Sequence, residues 1–392
     1  MNDALEPPAP SRLTRALRAG IHTDTAHGAV VPPLYLSTNY TFESLGRPRR
    51  YDYSRSGNPT RDHLGEAIAV LEGGAGGVIV ATGMATVTLA IETLVPVGGR
   101  VVAPHDCYGG TWRLLSWFAE RGRIELEFAD LTDAGSAAAA LSRPASLVWI
   151  ETPSNPLMRI TDLDAVSSAA HAAGALAVAD NTFCSPLLQR PLEHGVDVVV
   201  HSTTKFINGH SDIVGGAVVA ADPDVQADLA GWANALGITA SPFDSYLALR
   251  GLRTLDARLR VHQENTARVV DALVAGDAVA AVNYPALDSH PGHAVAARQQ
   301  SGYGSLLSFE LRGGLPAVQR FVDGLRYFDL AESLGGVESL IAHPATMTHA
   351  SMTAAAREAA GIGDGLIRLS VGIEDGNDLV ADISAGLRRA AA

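Results

Sequence analysis

The hydrophobic pattern of the chain changes character twice. Residues 1–60 carry no sustained apolar rhythm. A Pro-rich start leads into PPLYLSTNYTF and then a Gly/Pro/Ser-bearing stretch, YDYSRSGNPT. So long an irregular segment is unusual inside a compact domain, so the pattern predicts an arm that reaches over a neighbouring surface. From about residue 61, short apolar runs alternate with helical stretches. RDHLGEAIAVLEGG reads as a helix closed by glycine. GVIVAT, RVVAP, SLVWIET, ALAVAD, VDVVVHS and IVGGAVVA are Val-, Ile- or Ala-rich runs. Among them lie three helical stretches, GMATVTLAIETLV, YGGTWRLLSWFAERG and ITDLDAVSSAAHAAG. Apolar runs alternating with helices predict an α/β fold whose mostly parallel sheet is covered on both faces.

From about residue 255 the pattern shifts again. LDARLRVHQENTARVVDALVA is one long helix, GSLLSFEL and LIRLSVGI read as strands, and PAVQRFVDGL and DLVADISAGLRRA as helices. The expected organisation is an arm over 1–60, an α/β domain over 61–254 and a smaller α+β domain over 255–392.

Bulk properties narrow the function classes. The 392 residues are 47% hydrophobic and 18% charged, which suits a well-buried globular protein. A net charge of −13, with no basic tract longer than RPRR, argues against nucleic acid or an acidic membrane as partner. No apolar stretch is long enough for a membrane span, and the N-terminus lacks the apolar core of a signal peptide. The two cysteines, Cys107 and Cys184, form no CxxC pair, which fits a reducing, cytoplasmic setting. HPGH at 290–293 sits in a Pro/Gly turn without carboxylates, so no metal is expected. EGGAGG at 72–77 lacks GK[ST] and precedes its strand, so it is no phosphate-binding P-loop. A nicotinamide-binding fold would show GxGxxG after the first strand, where ATGMAT stands instead.

One residue type does change the picture. Of 29 lysines and arginines a single one is lysine, Lys205, in HSTTKFINGHSD. A guanidinium stays protonated, whereas a desolvated lysine amine can lose its proton and condense with an aldehyde. Lone survival under an arginine-favouring bias is the alternative. Several apolar runs end in small or polar residues, namely Thr82 and Gly83, Asp180, and Ser202. In open α/β sheets ligands sit at these carboxyl ends. An amine at Lys205 and a carboxylate at Asp180 on one rim suit pyridoxal phosphate, an aldehyde with a protonatable ring nitrogen. Asp180 as a helix cap is the rival. Gly83 and Met84 open a helix, where free N–H groups attract a phosphate, and Ser202 and Thr204 could add hydroxyls or serve as caps. Tyr108 is either a ring stacked on the pyridine or an aromatic in a rim turn. Tyr53 and Arg55 lie on the arm, where Arg55 is a phosphate contact or a solvated charge. Arg368 interrupts an apolar strand and needs an anion, either a substrate carboxylate or a structural partner such as Glu374.

Together the segments YSRSGNPTR, ATGMAT, HDCYGGT, ETPSNP, ADNTF, HSTTKFINGHSD, ALRGLRTL, AESLGGVESL and IRLSVGIE resemble the Cys/Met-metabolism pyridoxal-phosphate enzymes of fold type I. The likeness runs from about residue 15 to the C-terminus. AESLGGVESLIAHPATMTHASM and GIGDGLIRLSVGIEDGNDLVADI resemble most the bacterial members that join O-succinyl-L-homoserine to L-cysteine, giving cystathionine and succinate. Cystathionine γ-cleavage and sulfhydrylation are the alternatives within the family. The resemblance implies that Lys205 binds the cofactor aldehyde, Asp180 holds the ring nitrogen and Tyr108 stacks on the ring and assists proton transfer. It implies phosphate contacts from Gly83, Met84, Ser202 and Thr204, with Tyr53 and Arg55 supplied by a neighbouring subunit. A homodimer, doubled to a tetramer, follows. Asn155 and Arg368 match contacts to the substrate carboxylate and the ring oxygen, Ser333 a residue beside the lysine, and Glu332 a position facing the substrate amino group. Several bacterial γ-replacing members carry a second arginine where this chain has Ser56, which leaves Arg113 as the cation for a distal carboxylate.

Overall fold

The computed structural model describes residues 9–350 and 352–392. Seven strands form the first sheet: β1 (Gly76–Val80), β2 (Gly99–Pro104), β3 (Ile124–Ala129), β4 (Leu147–Glu151), β5 (Leu176–Asp180), β6 (Val198–Ser202) and β7 (Gly216–Ala220). Their order is β1-β7-β6-β5-β4-β2-β3. All run parallel except β7, which is antiparallel to both neighbours. The exception has a simple cause. Residues 203–215 between β6 and β7 contain no helix, and without a crossover the chain can only return antiparallel.

Along the central strands successive side chains enter two different cores. Val101, Trp149, Val178 and Val200 pack with Leu89 and Leu115 on one face. Val102, Val148, Ile150, Ala179 and Val199 pack with Leu163 and Val166 on the other. That period of two explains why the central strands read as unbroken apolar runs. Each such buried Val, Leu or Ile is worth roughly 1.5–3 kcal/mol. Edge strand β3 (IELEFA) alternates instead: Glu125 and Glu127 point outward and pair with Arg143 and Arg100.

The second sheet holds β8 (Val279–Asn283), β9 (Leu306–Leu311), β10 (Phe328–Leu330), β11 (Ser339–Ala342) and β12 (Leu366–Ser370) in the order β10-β11-β12-β9-β8. Helix Leu255–Val274 joins the two bodies. Its first half puts Leu255 and Leu259 into the core under the first sheet. Its second half puts Val269, Val270 and Leu273 into the core of the second.

The N-terminal segment is more structured than its pattern suggests. A short helix, Arg12–Leu17, docks on its own chain through the fully buried Ala16. Arg12 pairs with Glu193, and Arg253 donates to Ala19 O at 3.0 Å. Between residues 18 and 57 the chain is irregular, with bridges at Asn39–Tyr53 and Ser44–Arg47. Asn58 stops the irregularity. Its side-chain oxygen accepts from the N–H groups of Thr60 and Arg61, capping helix Pro59–Glu72, while its amide donates to Tyr35 O, Tyr40 OH and Ser54 Oγ. Residues 1–8 of the expected arm lie outside the described residues. No helix among the described residues is long and apolar enough to cross a membrane.

Candidate active site

The carboxyl ends of five strands meet at one rim. β2 pairs with both β3 and β4, so the chain reverses direction across the sheet there, which is where such folds open a crevice. A cavity of about 230 Å³ occupies this rim. Of the residues expected from the sequence, it brings together Lys205, Asp180, Tyr108, Gly83, Met84, Ser202, Thr204, Asn155, Glu332, Ser333 and Arg368. The loop 331–336 closes the side contributed by the smaller body. Gly335, at φ +76°, lets this loop lie against the lysine turn, where a Cβ would fall 2.8 Å from Phe206 N.

Lys205 projects from the turn after β6. Its Nζ donates to Ser333 Oγ at 2.7 Å. Burial, aided by the nearby Arg368 guanidinium, brings its pKa from 10.5 down to about 8, against the pull of Glu332. Asp180 ends β5, paired with Val200 of β6. Its Oδ1 accepts from Thr182 N–H at 3.0 Å, and the first residue of the next helix is Ser185, so the aspartate closes a local turn and caps no helix. Burial raises its pKa, while Thr182 pulls it down.

Glu151, to which the sequence pattern assigns no role, is central. It ends β4 directly across from Asp180. Its two oxygens accept from Tyr108 N–H at 2.8 Å and Asn155 N–H at 3.0 Å. Burial and the Asp180 charge push its pKa well above the ordinary range. The clue was available, because an acidic residue ends the apolar run SLVWIE as Asp180 ends ALAVAD. Thr182 and Thr348 also line the cavity, and the sequence pattern assigns neither a role.

Arg368 is buried on β12. Its Nη1 donates to Asn155 Oδ1 at 3.1 Å and its Nη2 to Ser333 O at 2.7 Å, while its buried Nε has no partner among the described residues. The rival partner, Glu374, is occupied elsewhere by Ser339 N–H and Oγ. Among the described residues Arg368 therefore pairs with no carboxylate, and an anion in the cavity would complete it.

These groups fit pyridoxal phosphate. The only lysine and a carboxylate line one cavity, as an aldehyde and a ring nitrogen require. At one end of that cavity the helix Gly83–Leu94 begins. Thr82 caps it through Ala85 N–H, which leaves the first N–H groups, at Gly83 and Met84, without helical partners. A Cβ at Gly83 would lie 2.8 Å from Ser202 Oγ, so only glycine lets the backbone come this close to the serine hydroxyl. Tyr108 stands at the rim, 39% exposed, its phenol pKa raised first by burial.

Three expected residues are not in this cavity. Tyr53 is 46% exposed on the arm, with the Arg55 guanidinium 5.8 Å from its ring centroid. Arg55 Nη1 donates to Asn234 O at 2.9 Å. Arg113 is exposed on helix Gly109–Glu120, 5.7 Å from the Trp117 ring. Ser56 Oγ donates within its own turn to Tyr53 O at 2.7 Å.

The chain is similar to known proteins over nearly its whole length. The family model described as "Cys/Met metabolism PLP-dependent enzyme" matches residues 13–388. Cystathionine γ-synthase of Escherichia coli is 51% identical over 377 residues, covering 96% of this chain and 98% of that protein. Cystathionine β-lyase of Lactococcus lactis is 43% identical over 376 residues, covering 96% and 98%. The crystal structure of cystathionine γ-synthase from Xanthomonas oryzae pv. oryzae, in complex with aminoacrylate and cysteine, superposes with a TM-score of 0.96. It is 61% identical, covering 98% of this chain and 99% of that one.

Proposed function

Because this chain belongs to the Cys/Met metabolism PLP-dependent enzymes, we propose that its reaction is γ-replacement, in which L-cysteine displaces succinate from O-succinyl-L-homoserine to give L-cystathionine. The observation that carries the reading is the cavity joining Lys205, Asp180 and the partnerless edge of Arg368. The likeness to γ-synthases supports this choice among the family's reactions. When bound, pyridoxal phosphate supplies an aldehyde for amino groups and a ring that accepts electrons from the carbon beside the nitrogen.

The chain supplies binding and proton handling. Arg368 and the Asn155 amide hold the substrate α-carboxylate. Asp180 keeps a ring nitrogen protonated. The Lys205 amine, held by Ser333, takes the proton from the substrate Cα and returns it elsewhere, which suits a group with a pKa near working pH. The Tyr108 hydroxyl, beside the incoming amine, assists the first proton transfer. The succinyl C–O bond at Cγ then breaks, and the cysteine sulfur forms its C–S bond there. Glu332 faces the substrate amino group, and Arg113 meets the distal carboxylate of the ester.

The phosphate contacts proposed for Tyr53 and Arg55 come from a second copy. Support lies in the arm, where Val30, Leu36, Phe42 and Leu45 are exposed and the Arg55 guanidinium meets no carboxylate among the described residues. We read the assembly as a homodimer with shared sites, doubled to a tetramer. A reducing cytoplasm suits Cys107 and Cys184, both free and buried.

The test is a direct assay. O-succinylhomoserine with cysteine should yield cystathionine and succinate, and Lys205→Ala should abolish turnover. Borohydride should fix the cofactor to the one peptide containing Lys205. A lyase is the second reading, favoured by the lactococcal relative. Cystathionine breakdown outpacing its formation would decide for that reading.

A further inference from the structure

Asn155 is held at nearly every polar atom. Its N–H donates to Glu151 Oε1, and its side-chain oxygen accepts from Arg368 Nη1. Its carbonyl is held by a residue behind the cavity wall, since His349 Nε2 lies 2.9 Å from Asn155 O. A carbonyl only accepts, so Nε2 carries a hydrogen. The other ring nitrogen, Nδ1, lies 2.8 Å from Thr348 Oγ1. His349 is fully buried. Burial first, then the Arg368 charge, brings its pKa down to about 4, so the ring is neutral and Nδ1 bears a lone pair.

Two consequences follow for the cavity. The Thr348 hydroxyl spends its single hydrogen on His349, so it offers only lone pairs to the cavity it lines. Asn155, with its other polar groups engaged, has only its Nδ2 hydrogens left to offer. We propose that His349 is a positioning residue of the substrate end: it fixes the Asn155 backbone and makes Thr348 an acceptor, while Arg368, by holding Asn155 Oδ1, leaves the Asn155 amide a donor. That polarity matches an amino acid, whose carboxylate takes the donor and whose amino hydrogens meet the acceptor. The inference rests on reading Arg368 and Asn155 as holders of the substrate carboxylate.

Conservative variants of the holoenzyme separate the two contacts. His349→Gln sets an amide nitrogen where Nε2 lies and keeps the donor to Asn155. His349→Asn sets an amide oxygen near Nδ1 and keeps the acceptor for Thr348. His349→Leu removes both. We expect His349→Leu to raise KM for the acyl-homoserine substrate roughly tenfold, and the Gln and Asn variants about threefold each, with kcat within about threefold throughout. Glycine, an amino acid with no leaving group, should lose calorimetric affinity in the same order. Adding Thr348→Val to His349→Gln should raise KM further, because valine also removes the lone pairs that meet the substrate amino hydrogens. If His349→Leu does not fold, the Gln and Asn variants decide. Unchanged KM and glycine affinity in them overturns the proposal, as does an equal fall in kcat and kcat/KM that neither variant relieves. Arg368→Met is the control. If it leaves KM unchanged, the carboxylate reading itself fails. If it raises KM while the His349 variants do not, only the role of His349 falls.

Discussion

A lone lysine among arginines is informative because the two side chains differ in one chemical respect, the ability to exist as a free amine. The cavity gives Lys205 that ability by burying it beside Arg368. In cofactor-free protein an acylating reagent should label Lys205 with a midpoint near pH 8, the neutral form dominating above it. Arg368→Met removes a neighbouring positive charge and should move the midpoint upward. Mass spectrometry of the peptide containing residue 205 separates this label from that on the α-amino group. A midpoint near 10 would show that burial does not tune the amine. At this scale the sequence was most legible where chemistry restricts residue type, as at Lys205 and Asp180. It was least legible where a residue acts through others. Glu151 does so by binding the backbone of two neighbours, and nothing in ETPSNP says whose backbone that is.

Whole elements were legible wherever both faces are buried, since β4, β5 and β6 then read as unbroken apolar runs. Edge strand β3 escaped notice because its outer face carries Glu125 and Glu127. The antiparallel sense of β7 depends on what connects it to β6 and leaves no trace in the strand itself. Caps were legible only locally. Asn58 before Pro59 signals a helix start, but its three amide contacts reach back as far as Tyr35. Asn58→Ala should therefore cost about 2 kcal/mol, read from the denaturant midpoint at unchanged slope. It should also speed proteolysis within residues 18–57. An unchanged midpoint and an uncut arm would mean that other contacts hold the arm in place.

At the scale of the whole molecule, the arm is the segment whose surface stays unburied. The arm exposes apolar side chains and holds Tyr53 and Arg55 outside their own cavity. If two copies exchange these residues, mixing and reassembling the inactive variants Lys205→Ala and Arg55→Ala should restore about a quarter of wild-type activity, since half the dimers then contain one intact site of two. No recovery after verified subunit exchange would mean that each site is built within one chain. The change in pattern at residue 255 marks where the sequence turns toward the second sheet, yet packing does not divide there.

Helix Leu255–Val274 is sunk at one end in each core. A cut at 254, the natural place to divide the chain by its pattern, would strip Leu255 and Leu259 from the larger body. The same cut would leave them bare on the smaller one. The molecule has a hinge in its sequence but no seam in its packing. Lys205 from one body and Ser333 and Arg368 from the other are thus held in register by a continuous strut, and the two halves of the site stand or fall as one piece.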